Sequence, residues 1–320
     1  MRLPNWLRIE SRCLIELYLI PAVCVVLPWS WGYRWLRWCA GWSRLFSLEW
    51  RAALQGAQQW VDIPDPAAWA RDYRTCRLVD HADYWLSRTR SRGWLRRHTR
   101  SEGEWPCTRQ AAVGVFFHWC AGMWGVRALH FAGPSSAVLA GHFSKHSMGD
   151  SWLAYWYGRL RLAELARAGG CPLIYAPGTI KKAQAELARG NWVIGTPDVP
   201  PTETKLAQPV TLFDRPALFT EGLIRIARDA GVPLVMFTLA LDLADGRREL
   251  RIQGPFDSAD PGLRQRIASY WEGLIKEKSW GFSLWPMMPA YFHAAAPAPQ
   301  DPADGGLDRP STGQPAPHRS

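Results

Sequence analysis

His118 is the residue of this chain best placed to carry out chemistry. An apolar run of β-branched and aromatic residues precedes it at positions 113–117 and predicts a buried strand. The small residues Ala121 and Gly122 follow, and a further apolar segment predicts a helix over 122–131. An imidazole gains and loses a proton near neutral pH, so a histidine at the end of a strand can act as a general base. A hydrogen-bonded histidine in a tryptophan-rich core is the alternative interpretation.

Alternating strand and helix patterns from residue 113 onward predict the scaffold that positions His118. The predicted strands lie at residues 113–117, 136–140, 172–175, 192–195, 210–213, 233–241 and 250–253. The predicted helices lie at residues 122–131, 151–167, 180–189, 220–230 and 263–278. This alternation predicts an α/β fold in which helices cover a mixed central sheet. A proline-rich loop at 196–201 follows one of the strands and contains Asp198.

The composition limits the kind of partner that the chain can have. The 320 residues carry a formal net charge of +10, which fits binding to an anionic surface. The 20 tryptophans favour a membrane over nucleic acid, because indole rings settle at the level of lipid headgroups and no nucleic-acid-binding motif is found. The seven cysteines are scattered and never in Cys-x-x-Cys spacing, so the sequence predicts neither a disulfide framework nor a metal site.

The first 46 residues predict a segment that lies on a membrane. An apolar stretch at 14–27 is interrupted by Glu16 and Pro21, and no unbroken run reaches the roughly 20 residues that span a bilayer. Tryptophans and arginines then alternate densely up to Arg44. This mixture predicts an anchor in one leaflet with its arginines against anionic headgroups, and the alternative is a buried N-terminal helical hairpin.

Three regions follow from these patterns. Residues 1–46 are the predicted membrane-anchoring helical segment, and residues 47–293 are the predicted α/β domain. Residues 294–320 are rich in proline, alanine, glycine and aspartate without apolar periodicity, and we expect them to be disordered.

Several sequence blocks, in a fixed order, resemble one protein family over roughly residues 10–293. The blocks are His118-Trp-Cys-Ala-Gly-Met-Trp124, Gly133-Pro134, Tyr157-Gly158-Arg159-Leu160-Arg161, residues 187–198, Phe213-Asp214-Arg215-Pro216-Ala217 and residues 280–292. Taken together they resemble the lysophospholipid acyltransferase superfamily, and in particular the bacterial lipid A late acyltransferases.

The resemblance implies a glycerolipid acyltransferase-like domain on the cytoplasmic face of a bacterial inner membrane, as a monotopic protein or with a single N-terminal anchor. The implied reaction moves an acyl chain from an acyl carrier protein or coenzyme A thioester to a hydroxyl of a lipid or glycolipid, without metal or cofactor. His118 is then the general base, and Arg159, Arg161 and Arg215 match positions that hold phosphate or carboxylate. Backbone N–H groups of the turn or a nearby arginine would stabilise the oxyanion.

The sequence departs from the family at the acid of the His-x4-Asp/Glu motif, because Met123 stands there. Asp198, expected at the end of a strand, is the predicted substitute, and Glu221 is a weaker second candidate. A loop-capping carboxylate is the alternative role for Asp198. The changed motif leads us to expect a specialised lipid or a polyene as acceptor. A catalytically degenerate homologue that binds membrane, lipid or carrier protein is the alternative function. A hydrolase in which His118 activates water is less favoured, because the sequence contains no Gly-x-Ser-x-Gly motif.

Overall fold

The architecture comes from a computed structural model, which describes residues 4–106, 110–141, 144–201 and 206–293. The helices are α1 (Asn5–Cys13), α2 (Ile20–Val26), α3 (Trp29–Cys39), α4 (Ser47–Ala57), α5 (Pro66–Thr89), α6 (Arg92–Arg97), α7 (Met123–Ala132), α8 (Trp152–Gly169), α9 (Thr179–Ala188), α10 (Gly222–Ala230), α11 (Leu263–Glu277) and α12 (Ala290–His293). The strands are β1 (Thr99–Glu102), β2 (Val113–Val115), β3 (Ser136–Ala140), β4 (Ile174–Tyr175), β5 (Trp192–Gly195), β6 (Ala207–Leu212), β7 (Arg215–Thr220), β8 (Leu234–Leu241) and β9 (Arg248–Phe256). The tail predicted at 294–320 lies outside the described residues.

Seven strands form one mixed sheet in the order β1-β9-β8-β2-β5-β3-β4. The five strands from β8 to β4 run parallel to one another, β9 runs antiparallel to β8, and β1 runs parallel to β9. β6 and β7 form a separate antiparallel hairpin. The predicted α/β fold, a mixed sheet covered by helices, is therefore confirmed.

Alternate residues of the central strands supply two hydrophobic cores, one on each face of the sheet. Trp192 and Ile194 of β5 pack with the N-terminal helices, α5 and α7, whereas Val193 packs with α9, α10 and α11. A period of two is what a strand covered on both faces requires. β8 is buried along its whole length, in keeping with its continuous apolar sequence.

The sequence patterns miss two strands, each for a local reason. β1 is a polar edge strand with three exposed residues, so it lacks the alternation of a half-buried strand. β7 follows β6 through Phe213 and Asp214, which both have positive φ angles, 49° and 58°. Such a tight turn is usually signalled by glycine or asparagine, and neither residue stands at these two positions. Because β7 extends to Thr220, α10 begins at Gly222 and not at residue 220. Separately, β2 ends at residue 115 and not at 117.

The N-terminal segment packs onto the α/β domain. A π-helical turn, Leu14–Leu19, joins α1 to α2, and α2 lies against α5. Leu36 and Cys39 of α3 are fully buried, and the Tyr33 hydroxyl donates to the Leu243 carbonyl at 2.7 Å. Within the part of the chain that the structure describes, no helix has both the length and the apolar composition needed to cross a bilayer.

Candidate active site

The carboxyl ends of β2 and β5 bring His118 and Asp198 together. The two strands are parallel neighbours, with Val115 beside Gly195, and the two residues follow their strands at the same offset. The Nδ1 atom of His118 lies 3.0 Å from Oδ1 of Asp198. The backbone N–H of His118 also donates to Oδ2 of Asp198 at 2.6 Å. One carboxylate thus holds both the ring and the backbone of the histidine.

This contact fixes the tautomer of His118. An ionised carboxylate only accepts hydrogen bonds, so the proton of the neutral ring is on Nδ1 and the lone pair is on Nε2. The Asp198 side chain is fully buried, while 45% of the His118 side chain is exposed. The imidazole is therefore the part of the pair that a substrate can reach, and the buried carboxylate stabilises the ring once it is protonated.

Neighbouring side chains hold the Asp198 loop in place. The hydroxyl of the buried Tyr291 donates to the Asp198 carbonyl at 2.7 Å. The Thr220 hydroxyl donates to the carbonyl of Pro197 at 2.8 Å. Both hydrogen bonds are made to backbone carbonyls of the loop, so the Asp198 carboxylate remains available to His118. A carboxylate that capped only its own loop would bond to N–H groups nearby in sequence, whereas Asp198 bonds to a residue 80 positions away.

Main-chain hydrogen bonds, two of them to other segments, hold the turn after His118. The N–H groups of Trp119, Cys120 and Ala121 donate to the carbonyls of Phe117, Gly281 and Leu239. Cys120 has a φ angle of +51°, which turns the chain sharply into α7. These three N–H groups are therefore engaged within the fold, and the expectation that N–H groups near the turn or an arginine stabilise an oxyanion stays a prediction.

Met123, which stands where the family that the sequence blocks resemble has its acid, begins α7 and is buried. It packs in a small cluster with Tyr84 and Tyr157. An acid at this position would lie among aromatic rings, whereas the carboxylate beside His118 comes from the loop after β5.

An apolar cavity of about 650 Å³ opens on one side of His118. It lies at the carboxyl ends of β3 and β5 and reaches the helices α9 and α10. Apart from His118, no described residue that lines it has an ionisable side chain. Most of its wall consists of aliphatic side chains, including Val138, Leu139, Ile174, Ile180, Leu223 and Ile226.

A second cavity of about 600 Å³, named the polar cavity because charged side chains line part of its largely apolar wall, lies on the other side of His118. Phe116, His118, Leu162 and Leu165 line both cavities and so form the boundary between them. His118, Cys13, Cys120 and Tyr157 line the polar cavity. Seven further charged or titratable side chains belong to its described wall: Arg12, Glu16, Glu49, Arg77, Asp80, His81 and Arg161. Both volumes are typical of sites for small ligands.

Burial and pairing set the protonation of these groups. Burial raises the pKa of Glu16 from 4.5 to about 7, although the Phe46 N–H and Arg12 oppose the shift. Burial alone would raise the pKa of Asp80, but the Arg161 guanidinium overcomes this effect and lowers it. Burial, with Arg77 and Arg161 nearby, lowers the pKa of His81 well below its ordinary value. His81 is therefore neutral and Asp80 ionised at neutral pH.

The predicted anion-binding arginines occupy three different places. Arg161 lines the polar cavity and donates two hydrogen bonds to Asp80, at 2.8 and 3.0 Å. Arg159 lies over the ring of Trp156, and Arg215 lies over the ring of Trp60; neither lines a cavity that contains His118.

Other acidic residues fall into two groups. Glu221 pairs with Arg264 at 3.4 Å and does not contact His118 in the structure, so it does not take the place of Asp198. Glu16 and Asp80 line the polar cavity but were not among the residues predicted for the site. The one available signal was the interruption of an apolar stretch by Glu16, which fits a break in a membrane anchor equally well.

Comparison with known proteins adds no assignment: no protein-family model and no curated protein matches this chain.

Proposed function

We propose that this protein is a membrane-associated O-acyltransferase of the lysophospholipid acyltransferase type, with His118 as general base and Asp198 as its orienting acid. The observation that carries the proposal is the position of this pair between an apolar and a polar cavity. The apolar cavity suits an acyl chain, and the polar cavity suits the hydroxyl-bearing group of the acceptor.

The proposed reaction needs only these groups and a thioester of acyl carrier protein or coenzyme A. Nε2 of His118 takes the proton of the acceptor hydroxyl as its oxygen bonds to the thioester carbonyl carbon. The tetrahedral intermediate then collapses, the carbon–sulfur bond breaks, and the imidazolium returns its proton to the departing thiolate. Asp198 stabilises the imidazolium between the two steps.

Exposed aromatic side chains support the membrane part of the proposal. Large apolar residues that are well exposed include Trp6, Trp31, Trp38, Trp42, Trp152 and Trp156. The side chain of Lys145 lies 4.3 Å from the ring centroid of Trp152, and Arg159 lies 5.2 Å from that of Trp156. Exposed indoles beside cations are the combination that settles at an anionic headgroup layer, here the cytoplasmic leaflet of a bacterial inner membrane.

The decisive experiment measures release of free thiol from acyl carrier protein and coenzyme A thioesters by the detergent-purified protein, with and without a total lipid extract. We expect release that depends on the lipid and falls by a factor of about 10² to 10⁴ in His118→Ala. The matched control is His146→Ala, because His146 also pairs with an aspartate, at 3.5 Å, but its side chain is 92% exposed.

The same assay separates the competing functions. Full turnover by His118→Ala would refute the proposed mechanism, and thiol release that needs no lipid would indicate a hydrolase. Binding of lipid or carrier protein without any turnover would favour the degenerate homologue, for which Met123 is the motivating observation.

A further inference from the structure

The polar cavity beside His118 has an unusual charge arrangement for a site that receives a lipid headgroup. Its three arginines face three carboxylates. Arg161 bonds to Asp80 at 2.8 Å, Arg77 lies 3.3 Å from Glu49 and 3.6 Å from Asp80, and Arg12 lies 3.4 Å from Glu16. Each of these arginines therefore has a carboxyl partner within the described cavity wall, although burial raises the pKa of Glu16 to about 7, so this group is only partly ionised at neutral pH.

We propose that the acceptor offers its hydroxyl from an uncharged group, and that this charge balance discriminates against phosphorylated acceptors. This inference rests on the proposed acyltransferase function and names the chemical class of its acceptor. An uncharged acceptor here means a hydroxyl on a sugar, polyol or aryl group without a phosphate beside it.

The first argument is the occupation of the Arg161 guanidinium. Its two terminal nitrogens bind the two carboxylate oxygens of Asp80, and one of them also contacts Nδ1 of His81 at 3.2 Å. This parallel pair of bonds is the geometry with which arginine recognises phosphate. A phosphate that took the place of Asp80 would leave a carboxylate with 7% exposure without its main cation, which is costly.

The second argument is that the described wall of the cavity offers no other cation without a carboxylate partner. His81 is neutral, because its Nδ1 accepts from Arg161 and its pKa is lowered. Around the charged groups, the described lining residues are mainly apolar or aromatic, including Leu17, Phe117, Trp119, Met123 and Met148. A phosphate would bring up to about two negative charges into a wall where Asp80 and Glu49, with the partly ionised Glu16, already offset most of the positive charge.

Two lipids that differ only by a phosphate test the inference, namely monoacylglycerol and lysophosphatidate with the same acyl chain. Their kcat/KM values are measured as acceptors in the thiol-release assay. Their binding to His118→Ala in detergent is followed by tryptophan fluorescence, so that a preference can be measured even without turnover. We expect the wild-type protein to favour the uncharged lipid by about tenfold or more in turnover, and the variant to show the same preference in binding.

Glu49→Gln is the variant that changes the charge of the cavity with the least disturbance, because 42% of the Glu49 side chain is exposed. It leaves Arg77 with Asp80 as its remaining partner, so the ratio of the two kcat/KM values should fall by about threefold, because lysophosphatidate gains more than monoacylglycerol. Glu102→Gln is the matched control, since the Glu102 side chain is 81% exposed and lies outside both cavities.

The outcomes distinguish this inference from the proposed function. Equal or better use or binding of lysophosphatidate would overturn the inference and leave the acyltransferase intact. A Glu49→Gln effect that is the same for both lipids would overturn the role of charge balance. Absence of thiol release with the total lipid extract would overturn the proposed function, whichever lipid binds more tightly.

Discussion

Replacement of Glu16 by glutamine should make the protein more stable above neutral pH. Burial raises the pKa of Glu16 from 4.5 to about 7 in the folded protein, so the folded state binds this proton more tightly than the unfolded state. Stability is therefore lost as pH rises through this window, and the full cost applies above it. The cost amounts to about 3 kcal/mol at pH 8 and less than about 1 kcal/mol at pH 5.

Glutamine removes this cost while keeping most of the local contacts. Its carbonyl oxygen can still accept the hydrogen bond that the Phe46 N–H now donates to Glu16 at 2.6 Å. The ion pair with Arg12 is lost, but the pKa of about 7 already includes its attraction, so this loss is not a further cost. We therefore expect Glu16→Gln to gain about 2 kcal/mol or more at pH 8 and little at pH 5.

Urea unfolding from pH 5 to pH 8, followed by tryptophan fluorescence, measures this difference. The free energy of unfolding of the wild-type protein should fall relative to that of the variant as pH rises. Glu102→Gln, at an 81% exposed side chain, should run parallel to the wild type. A Glu16→Gln variant that is less stable than the wild type at pH 8 would show that the folded protein stabilises Glu16 as an anion, which would refute the destabilising effect of its burial.

Three further changes test other parts of the structure. Asp198→Asn should lower kcat by about 10² or more with little change in KM, because an amide no longer holds the His118 tautomer; unchanged kcat would leave Asp198 a loop residue. Met123→Asp should destabilise the protein by about 2 kcal/mol or more in urea unfolding, because residue 123 is buried among tyrosines. The same change should not restore activity to Asp198→Asn, and restored turnover in the double variant would contradict this geometry. Glu10→Gln should cost about 1 kcal/mol at neutral pH, because Glu10 accepts from the first N–H groups of α8. The Trp152 and Leu153 hydrogen bonds more than offset burial and lower the pKa of Glu10, so the difference should vanish as pH falls through that lowered value; persistence in acid would exclude the charge as its cause.

The positions of His118 and Asp198 at the ends of strands could be predicted from the sequence because the apolar run that marks each strand is a local pattern. Each residue follows a short apolar run, and the carboxyl ends of parallel strands share one edge of a sheet. The sequence did not show that β2 and β5 are direct neighbours, which depends on how the other segments pack around them. Their contact is thus an outcome of the tertiary structure.

The pairing inside the polar cavity could not be predicted from the sequence. Asp80 and Arg161 are 81 positions apart, on helices whose patterns also fit solvent-exposed faces. The family resemblance implied a phosphate or carboxylate ligand for Arg161, whereas the structure pairs it with a carboxylate of the same chain. Whether an arginine is free for a ligand depends on its partners, and periodicity carries no information about them.

The position of Asp198 in the chain determines how the His118 ring is held for the proposed catalysis. An acid five residues after the histidine would hold the ring through one local turn. Asp198 binds the ring and the backbone N–H of His118 together, and its own loop is fixed by Tyr291 and Thr220. Because the sheet itself sets the distance between the two residues, the turn after His118 is free to bury Met123. The changed motif is therefore compatible with a fully oriented base, and a loss of function is not required to explain it.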